Sequence, residues 1–281
     1  MADRDRRFRA ACVQMRSGID RGLNTKDALA LISDAVRVGA NFVTTPEMTN
    51  IVDRQGRRLL DGLPDESGLD EIVAYSEVAK NHRIWLLIGS VALREGDRAA
   101  NRSLLYAPDG TIMARYDKLH MFDVDLPNGE SWKESKIYKP GNCAIVANTA
   151  LAKIGMSICY DVRFPSLYRT MAQAGAEVFC VPAAFTRQTG EAHWKTLLTA
   201  RAIENGAFVI APAQGGVHED GRETYGHSLI VDPWGKILAE APDDEPCIIT
   251  ADIDINEVYK MRQRIPNLSL EQEFEVTILD Q

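Results

Sequence analysis

One stretch near the N-terminus, Val36-Arg-Val-Gly-Ala-Asn-Phe-Val-Thr-Thr-Pro46, returns later as Met171-Ala-Gln-Ala-Gly-Ala-Glu-Val-Phe-Cys-Val-Pro182. In both, a helical pattern stops at a Gly and a run of β-formers then ends at a Pro. A second pair follows in the same order. Tyr106-Ala-Pro-Asp-Gly-Thr-Ile-Met-Ala matches Val231-Asp-Pro-Trp-Gly-Lys-Ile-Leu-Ala, each a strand, a Pro-x-Gly turn and a second strand. The prolines lie 136 residues apart in the first pair and 125 in the second. Two like halves, each a sheet with helices on one face, can bury both sheets by packing them together. The expected fold class is therefore α/β, a four-layer αββα sandwich.

The rest of the pattern agrees. Strands are expected over residues 8–14, 41–45, 84–93, 102–107, 111–116, 153–159, 177–181, 208–212 and 227–231, and helices over 25–38, 68–81, 166–174, 191–205 and 256–263. Several strands are apolar on both faces, as a covered sheet requires. No Pro/Gly/Ser-rich linker divides the halves, so residues 1–281 are expected to form a single domain. A chain of 281 residues can bury a core large enough to need no disulfide or metal.

Charge and cysteine usage narrow the function classes. The net charge of −8 argues against nucleic acid as a partner, because phosphate binding needs a basic surface. Arg4, Arg6, Arg7 and Arg9 cluster at the N-terminus, but Asp3 and Asp5 interrupt them and no apolar segment or cleavage site follows. A solvated, partly frayed terminus is expected there. The longest strongly apolar run, residues 84–93, has ten residues where a membrane-spanning helix needs about 20. Five widely spaced cysteines without a secretory signal suggest free thiols in a reducing compartment, by default the cytoplasm. Metal-ligand spacings such as Cys-x-x-Cys and His-Glu-x-x-His are absent, as are Gly-x-Gly-x-x-Gly and Walker patterns, so neither a metal nor a cofactor is expected.

Three residues could carry chemistry. Cys159 ends a strand and precedes a predicted helix, where free backbone N–H groups and the helix dipole would favour a thiolate and could bind an oxyanion. Position alone leaves it open between a catalytic thiol and a small buried hydrophobe. The hydrophobe reading fits Cys12 and Cys180, and also Cys143 and Cys247. Glu47 lies just beyond a strand, where open α/β folds gather their sites, though solvated loop acids also occur there. Lys118 follows the first Pro-x-Gly hairpin and is either a surface charge or a cationic donor to a carboxylate and thiol.

Taken together, Pro-Glu at Glu47, Tyr-Asp-Lys-Leu-His-Met-Phe-Asp-Val-Asp around Lys118, and Gly-Met-Ser-Ile-Cys-Tyr-Asp-Val-Arg-Phe-Pro around Cys159 resemble the carbon–nitrogen hydrolase (nitrilase) superfamily. The likeness runs from Ala11-Cys-Val-Gln-Met to Ile265-Pro and includes Leu-Thr-Ala-Arg-Ala-Ile-Glu-Asn and Tyr-Gly-His-Ser-Leu-Ile-Val-Asp-Pro-Trp-Gly. It implies the same αββα fold and a thiol amidohydrolase. Cys159 would be the nucleophile, Glu47 the general base, and Lys118 with the backbone N–H of Tyr160 the oxyanion hole. Glu134 matches a second glutamate of the family better than Glu130 does, in an acid, substrate-orienting or structural role.

The resemblance also implies a homodimer or larger assembly, with residues 255–281 as an extension at its interface. Cys-Tyr-Asp-Val-Arg-Phe-Pro is similar to the branch that includes ω-amidase and deaminated-glutathione amidase. That branch implies cleavage of a terminal carboxamide on a small carboxylate-bearing substrate, with a Cys159 thioester as intermediate. An N-carbamoyl amino acid hydrolase, a nitrile hydrolase and a catalytically silent binding protein are the rival readings. A substrate carboxylate calls for a cationic clamp. Arg163, Arg187, Phe185 and His193 are the substrate-binding candidates, set against ion pairing for the arginines and a scaffold role for His193, His120 and His227. Trp194 either lines the pocket or packs.

Overall fold

The computed structural model describes residues 6–127 and 129–279. The first half runs β1 (Arg7–Gln14), α1 (Arg21–Arg37), β2 (Phe42–Thr44), α2 (Gly56–Gly62), α3 (Asp70–His82), β3 (Trp85–Glu95), β4 (Arg98–Tyr106) and β5 (Ile112–Asp117). A hairpin, β6 (Asp123–Asp125) and β7 (Ser131–Lys133), separates it from the second half. There the chain runs β8 (Ile145–Asn148), β9 (Lys153–Met156), α4 (Pro165–Gln173), β10 (Val178–Cys180), α5 (Arg187–Asn205) and β11 (Phe208–Ala211). A second hairpin, β12 (Gly215–Val217) and β13 (Glu223–Tyr225), precedes β14 (Leu229–Val231) and β15 (Ile237–Glu240); β16 (Cys247–Asp254) and α6 (Asn256–Arg264) follow.

One sheet has the order β16-β1-β2-β3-β4-β5 and the other β8-β9-β10-β11-β14-β15. Read in those directions, both pair antiparallel, parallel, parallel, antiparallel, antiparallel. The internal echo is thus a repeat of topology. Its first pair of segments gives the equivalent strands β2 and β10, and its second pair gives the hairpins β4–β5 and β14–β15.

Period-two alternation builds the layers. Phe8, Ala10 and Cys12 of β1 join Phe42, Leu87 and Leu105 in a core shared with Ile154, Met156, Cys180 and Ile210 of the other sheet. The intervening Ala11 and Val13 pack with Ala28, Ile32 and Ala35 of α1 and Tyr75 and Ala79 of α3. Helices α4 and α5 cover the second sheet through Leu167, Met171, Trp194 and Leu198. This is the αββα sandwich. Among the described residues no helix is long and apolar enough to cross a membrane.

Several local expectations need correction. Helix α1 begins at Arg21 and not at residue 25, because the Asp20 side chain caps it by accepting from Leu23 N at 3.0 Å. Arg6, Arg7 and Arg9 are not frayed: β1 starts at Arg7, Arg9 pairs with Asp252 of β16 at 2.8 Å, and Arg6 reaches buried Glu177 at 2.6 Å. Their acidic partners lie far along the chain, out of reach of a local reading. Asp3, Arg4 and Asp5 lie outside the described residues. Strands β8 and β16 are additions, and Cys143 is exposed while Cys247 is half-buried. Helix α6 is docked through Val258 and Met261, and Arg262 donates to Asn205 O at 3.1 Å and Ala176 O at 2.6 Å. The chain beyond it exposes Leu270, Phe274, Val276, Ile278 and Leu279.

The two echo prolines both crowd Gly89. A Cβ on Gly89 of β3 would stand 2.0 Å from Thr45 O, 2.5 Å from Pro46 O and 2.4 Å from the Pro182 Cβ. Only a glycine lets the β2 and β10 ends approach this closely. Gly89→Ala is expected to lower stability by at least about 1–3 kcal/mol, the usual cost of overpacking. A denaturant midpoint unchanged from wild type would contradict this close approach.

Candidate active site

Each candidate catalytic side chain leaves the end of a strand or hairpin. Glu47 follows β2, and its turn is held by hydrogen bonds from both sheets. Thr49 Oγ1 donates to Pro46 O at 2.7 Å and Met48 N to Ser90 Oγ at 2.8 Å. From the second sheet, Gln214 Nε2 donates to Glu47 O at 3.0 Å and Met48 O at 3.2 Å. Lys118 directly follows β5, with its N–H on Asn101 O at 3.0 Å. Glu134 opens a short 3-10 turn after the β6–β7 hairpin. Cys159 lies three residues past β9, at a left-handed φ of 48°, with its N–H bound to Pro182 O at 2.8 Å. Such a φ is uncommon outside glycine and marks strain held by the surroundings.

These four side chains meet in one cavity of about 320 Å³. The Lys118 ammonium donates to Glu47 Oε1 at 2.8 Å and to both Glu134 oxygens at 3.0 and 2.9 Å. Glu47 Oε1 also accepts from Asn101 Nδ2 at 2.9 Å, and its Oε2 accepts from Ala184 N at 2.9 Å. Glu134 Oε2 accepts from Phe122 N at 2.6 Å. The Cys159 thiol and the Glu47 carboxylate line the same cavity.

The electrostatics set the resting protonation states. Burial pushes the Glu47 carboxyl up, but the charge and hydrogen bond of Lys118, with Cys159 and Asn101, outweigh it and hold the group below its ordinary range. Burial pulls Lys118 down, and the charges of Glu134, Glu47 and Cys159 raise it well above the lysine range. Cys159 goes the opposite way from expectation. Burial and the Glu47 charge push the thiol well up, against lesser lowering by Lys118 and the Ala184 backbone. The α-helix expected to stabilise a thiolate begins only at Pro165, after a 3-10 turn, and an ionised carboxylate faces the sulfur directly. The free site therefore holds a neutral thiol beside an ionised base.

Of the substrate-binding candidates, Arg163 and Phe185 line the cavity and Arg187 and His193 do not. The Arg163 guanidinium lies 5.2 Å from the Phe185 ring centroid and 5.9 Å from that of Tyr160. It has no acidic partner among the described residues; its one polar side-chain contact is His193 Nδ1 at 3.3 Å. Arg187 is a structural ion pair, held by Glu223 at 3.0 Å and by Asp244. Trp194 is buried against Phe185 and donates to His227 O at 2.9 Å, so it packs. Among the described residues, no group of three or more His, Cys, Asp or Glu side chains is arranged to hold a metal ion.

Two further residues escaped sequence reasoning. Asn101, a lone amide in the apolar run of β4, bonds both Glu47 and Glu134, the latter at 3.3 Å. Asp161 is fully buried two residues past Cys159. It accepts from Tyr116 OH at 2.6 Å, His120 N at 3.0 Å and Ile158 N at 2.9 Å, and its carboxylate is 2.7 Å from His120 Nδ1. It thereby pins the Cys159 turn to the segment carrying Lys118. A buried acid beside the cysteine was the signal, but its partners Tyr116 and His120 lie over 40 residues upstream.

The protonation states are testable. Thiolate absorbance near 240 nm, taken as wild type minus Cys159→Ser, should be absent at pH 7 and appear only above the ordinary thiol range of about 8.5. The rate should fall in acid only as Glu47 takes up its proton, below the ordinary carboxylate value of about 4.3. A thiolate signal at neutral pH would overturn the assignment.

The carbon-nitrogen hydrolase family model matches residues 9–263. The chain is 39% identical over 253 residues to the deaminated glutathione amidase of Dictyostelium discoideum, covering 86% of each protein. It is 33% identical over 261 residues to omega-amidase NIT2 of Mus musculus, covering 93% of this chain and 94% of the mouse protein. The crystal structure of the C. elegans NitFhit protein superposes with a TM-score of 0.88 at 35% identity, over 95% of this chain and 65% of that longer one. The chain belongs to the carbon–nitrogen hydrolase family and is a hydrolase of carbon–nitrogen bonds other than peptide bonds.

Proposed function

We propose that this chain is a linear-amide amidase that cleaves the carboxamide of a small carboxylate-bearing substrate, of the deaminated-glutathione or ω-amide type, through a Cys159 thioester. One observation carries the reading: the Cys159 thiol shares a buried cavity with a Glu47 carboxylate that Lys118 holds ionised. The names of the relatives support the substrate class.

Glu47 takes the thiol proton as the sulfur attacks the amide carbon, so charge separation and bond formation proceed together. Lys118 and the Tyr160 N–H donate to the oxygen as it gains charge, each such donor being worth about 10²–10³ in rate. The proton then passes from Glu47 to the leaving nitrogen, the C–N bond breaks and a thioester remains. Glu47 next deprotonates water, which adds to the thioester and releases the carboxylate and the thiol. Glu134 grips the ammonium with both oxygens and so orients it, and Arg163 holds the substrate carboxylate over Phe185.

We also place the enzyme in the cytoplasm, as a single domain over residues 1–281 that assembles as a homodimer or larger oligomer. The exposed apolar residues Phe274, Val276 and Ile278 support an interface in the C-terminal segment.

Ammonia release from a panel of ω-amides is expected in the wild type and absent in Cys159→Ala. Glu47→Gln should lose about 10²–10⁴ in kcat, and Arg163→Ala should raise KM for carboxylate-bearing amides. Acid-quenched enzyme should carry a mass increment equal to the acyl group. A panel without turnover or acyl adduct would remove the amidase reading.

A further inference from the structure

An ammonium has three N–H donors, and in the free site that of Lys118 meets three oxygens: Glu47 Oε1 at 2.8 Å and the two Glu134 oxygens at 3.0 and 2.9 Å. Donation to a substrate oxygen therefore requires at least one of these bonds to be given up. A buried carboxylate that loses its charge-assisted bond is costly unless another donor stays with it. A second donor already bridges the same pair. Asn101 Nδ2 lies 2.9 Å from Glu47 Oε1 and 3.3 Å from Glu134 Oε1, so its two N–H bonds match the two carboxylates.

The amide cannot point the other way. Exchanging Oδ1 for Nδ2 would set an acceptor against two carboxylate oxygens. With the nitrogen so placed, Oδ1 is buried and has no hydrogen-bond partner among the described residues. Asn101 is itself fully buried, and an apolar residue of like volume would remove that unpaired acceptor. Packing alone therefore does not favour asparagine here. Its backbone fixes its distance from the lysine: Lys118 N donates to Asn101 O at 3.0 Å, which extends the β4–β5 pairing by one residue.

We propose that Asn101 is a positioning residue for the reaction, holding Glu47 and Glu134 in register while the Lys118 ammonium donates to the substrate oxygen. Asn101 does not line the cavity, so it acts through the two carboxylates and not on the substrate. Two consequences separate this from a structural role. Loss of the amide removes a donor to the ionised form of Glu47, so the carboxyl is protonated more readily and activity fails at a higher pH. Loss also leaves the carboxylates without a bridge once Lys118 turns to the substrate, which lowers kcat and not affinity. The other groups that bear on Glu47 are Lys118, Cys159 and, through the shared ammonium, Glu134, with Tyr138, Arg163 and Arg222 lining the same cavity. This proposal rests on the amidase reading.

Asn101→Leu keeps the volume and removes the amide. On an ω-amide, kcat should fall about ten- to a hundredfold with KM nearly unchanged. The acid limb of kcat/KM should rise by about one pH unit. Ser103→Ala is the control: it deletes the hydrogen bond from Oγ to Ile88 O at 3.1 Å, two residues along β4, and should move neither quantity. A second arm needs no turnover. The infrared band of the protonated Glu47 carboxyl, taken against Glu47→Gln in each background while circular dichroism shows the fold intact, should appear at higher pH in Asn101→Leu. Asn101→Ala is read in the same way if the leucine does not fit. A carboxyl band at the wild-type pH, an equal shift in Ser103→Ala, or an unchanged kcat in Asn101→Leu overturns the role. A shifted band in a protein that turns over no amide supports the bridge, and in that case it is the amidase reading that fails.

Discussion

A single ammonium group, buried between two carboxylates, sets the terms for the rest of the molecule. Lys118 is 2% exposed and Glu47 4%. Taking such ions from water costs several kcal/mol each, and mutual attraction offsets that only where the remaining hydrogen-bonding sites are filled. They are filled from three separate places: Asn101 on β4, the Ala184 N–H past β10 and the Phe122 N–H before β6. Each ligand comes from a different segment, so the cluster exists only when both sheets and the first hairpin are in place. Removing Lys118 would leave two carboxylates facing each other in a site that cannot hydrate them.

The repeat explains where this cluster sits. Parallel strands deliver their C-terminal ends to one edge of each sheet, and face-to-face packing brings the two edges together. Pro46 and Pro182, equivalent in the repeat, both pack close to Gly89. The residues after them diverge: Glu47 supplies a buried carboxylate, and the corresponding stretch supplies the Ala184 N–H that binds it. The positions three past β1 and β9 diverge likewise. Ser17 is locked by Gln214 and by Thr49 O, whereas Cys159 faces the cavity. Each half thus supplies a reactive side chain at one of these positions and scaffold at the other.

What the sequence disclosed follows from how local each signal is. The αββα fold was legible because a repeat reports topology twice, and strong apolar runs mark buried strands. The β16 edge strand was not, since it is half-exposed and pairs with a strand more than 230 residues away. The assembly of Glu47, Lys118, Glu134 and Cys159 was legible through motif order. Asn101 and the Asp161 clamp were not, because an isolated Asn or Asp acquires meaning only from partners folded against it. Arg187 and Arg163 look alike in sequence. Only the structure shows that one is neutralised by Glu223 and Asp244 while the other faces the cavity without an acid.

The misjudged thiol is the most instructive of these differences. Position at a turn suggested a standing thiolate, but burial and an ionised carboxylate decide the matter in favour of the neutral form. The proton could be shared only by moving negative charge from Glu47 to sulfur, and Lys118 binds Glu47 directly. A substrate carbonyl entering beside Lys118 changes that balance, because the charge then flows through sulfur onto an oxygen that Lys118 can also reach. Nucleophilicity becomes a property of the complex and not of the free protein. A thiol kept neutral until then is a poor target for oxidants and alkylating agents, which react with the thiolate. The cluster that makes the cysteine useful also keeps it quiet between turnovers.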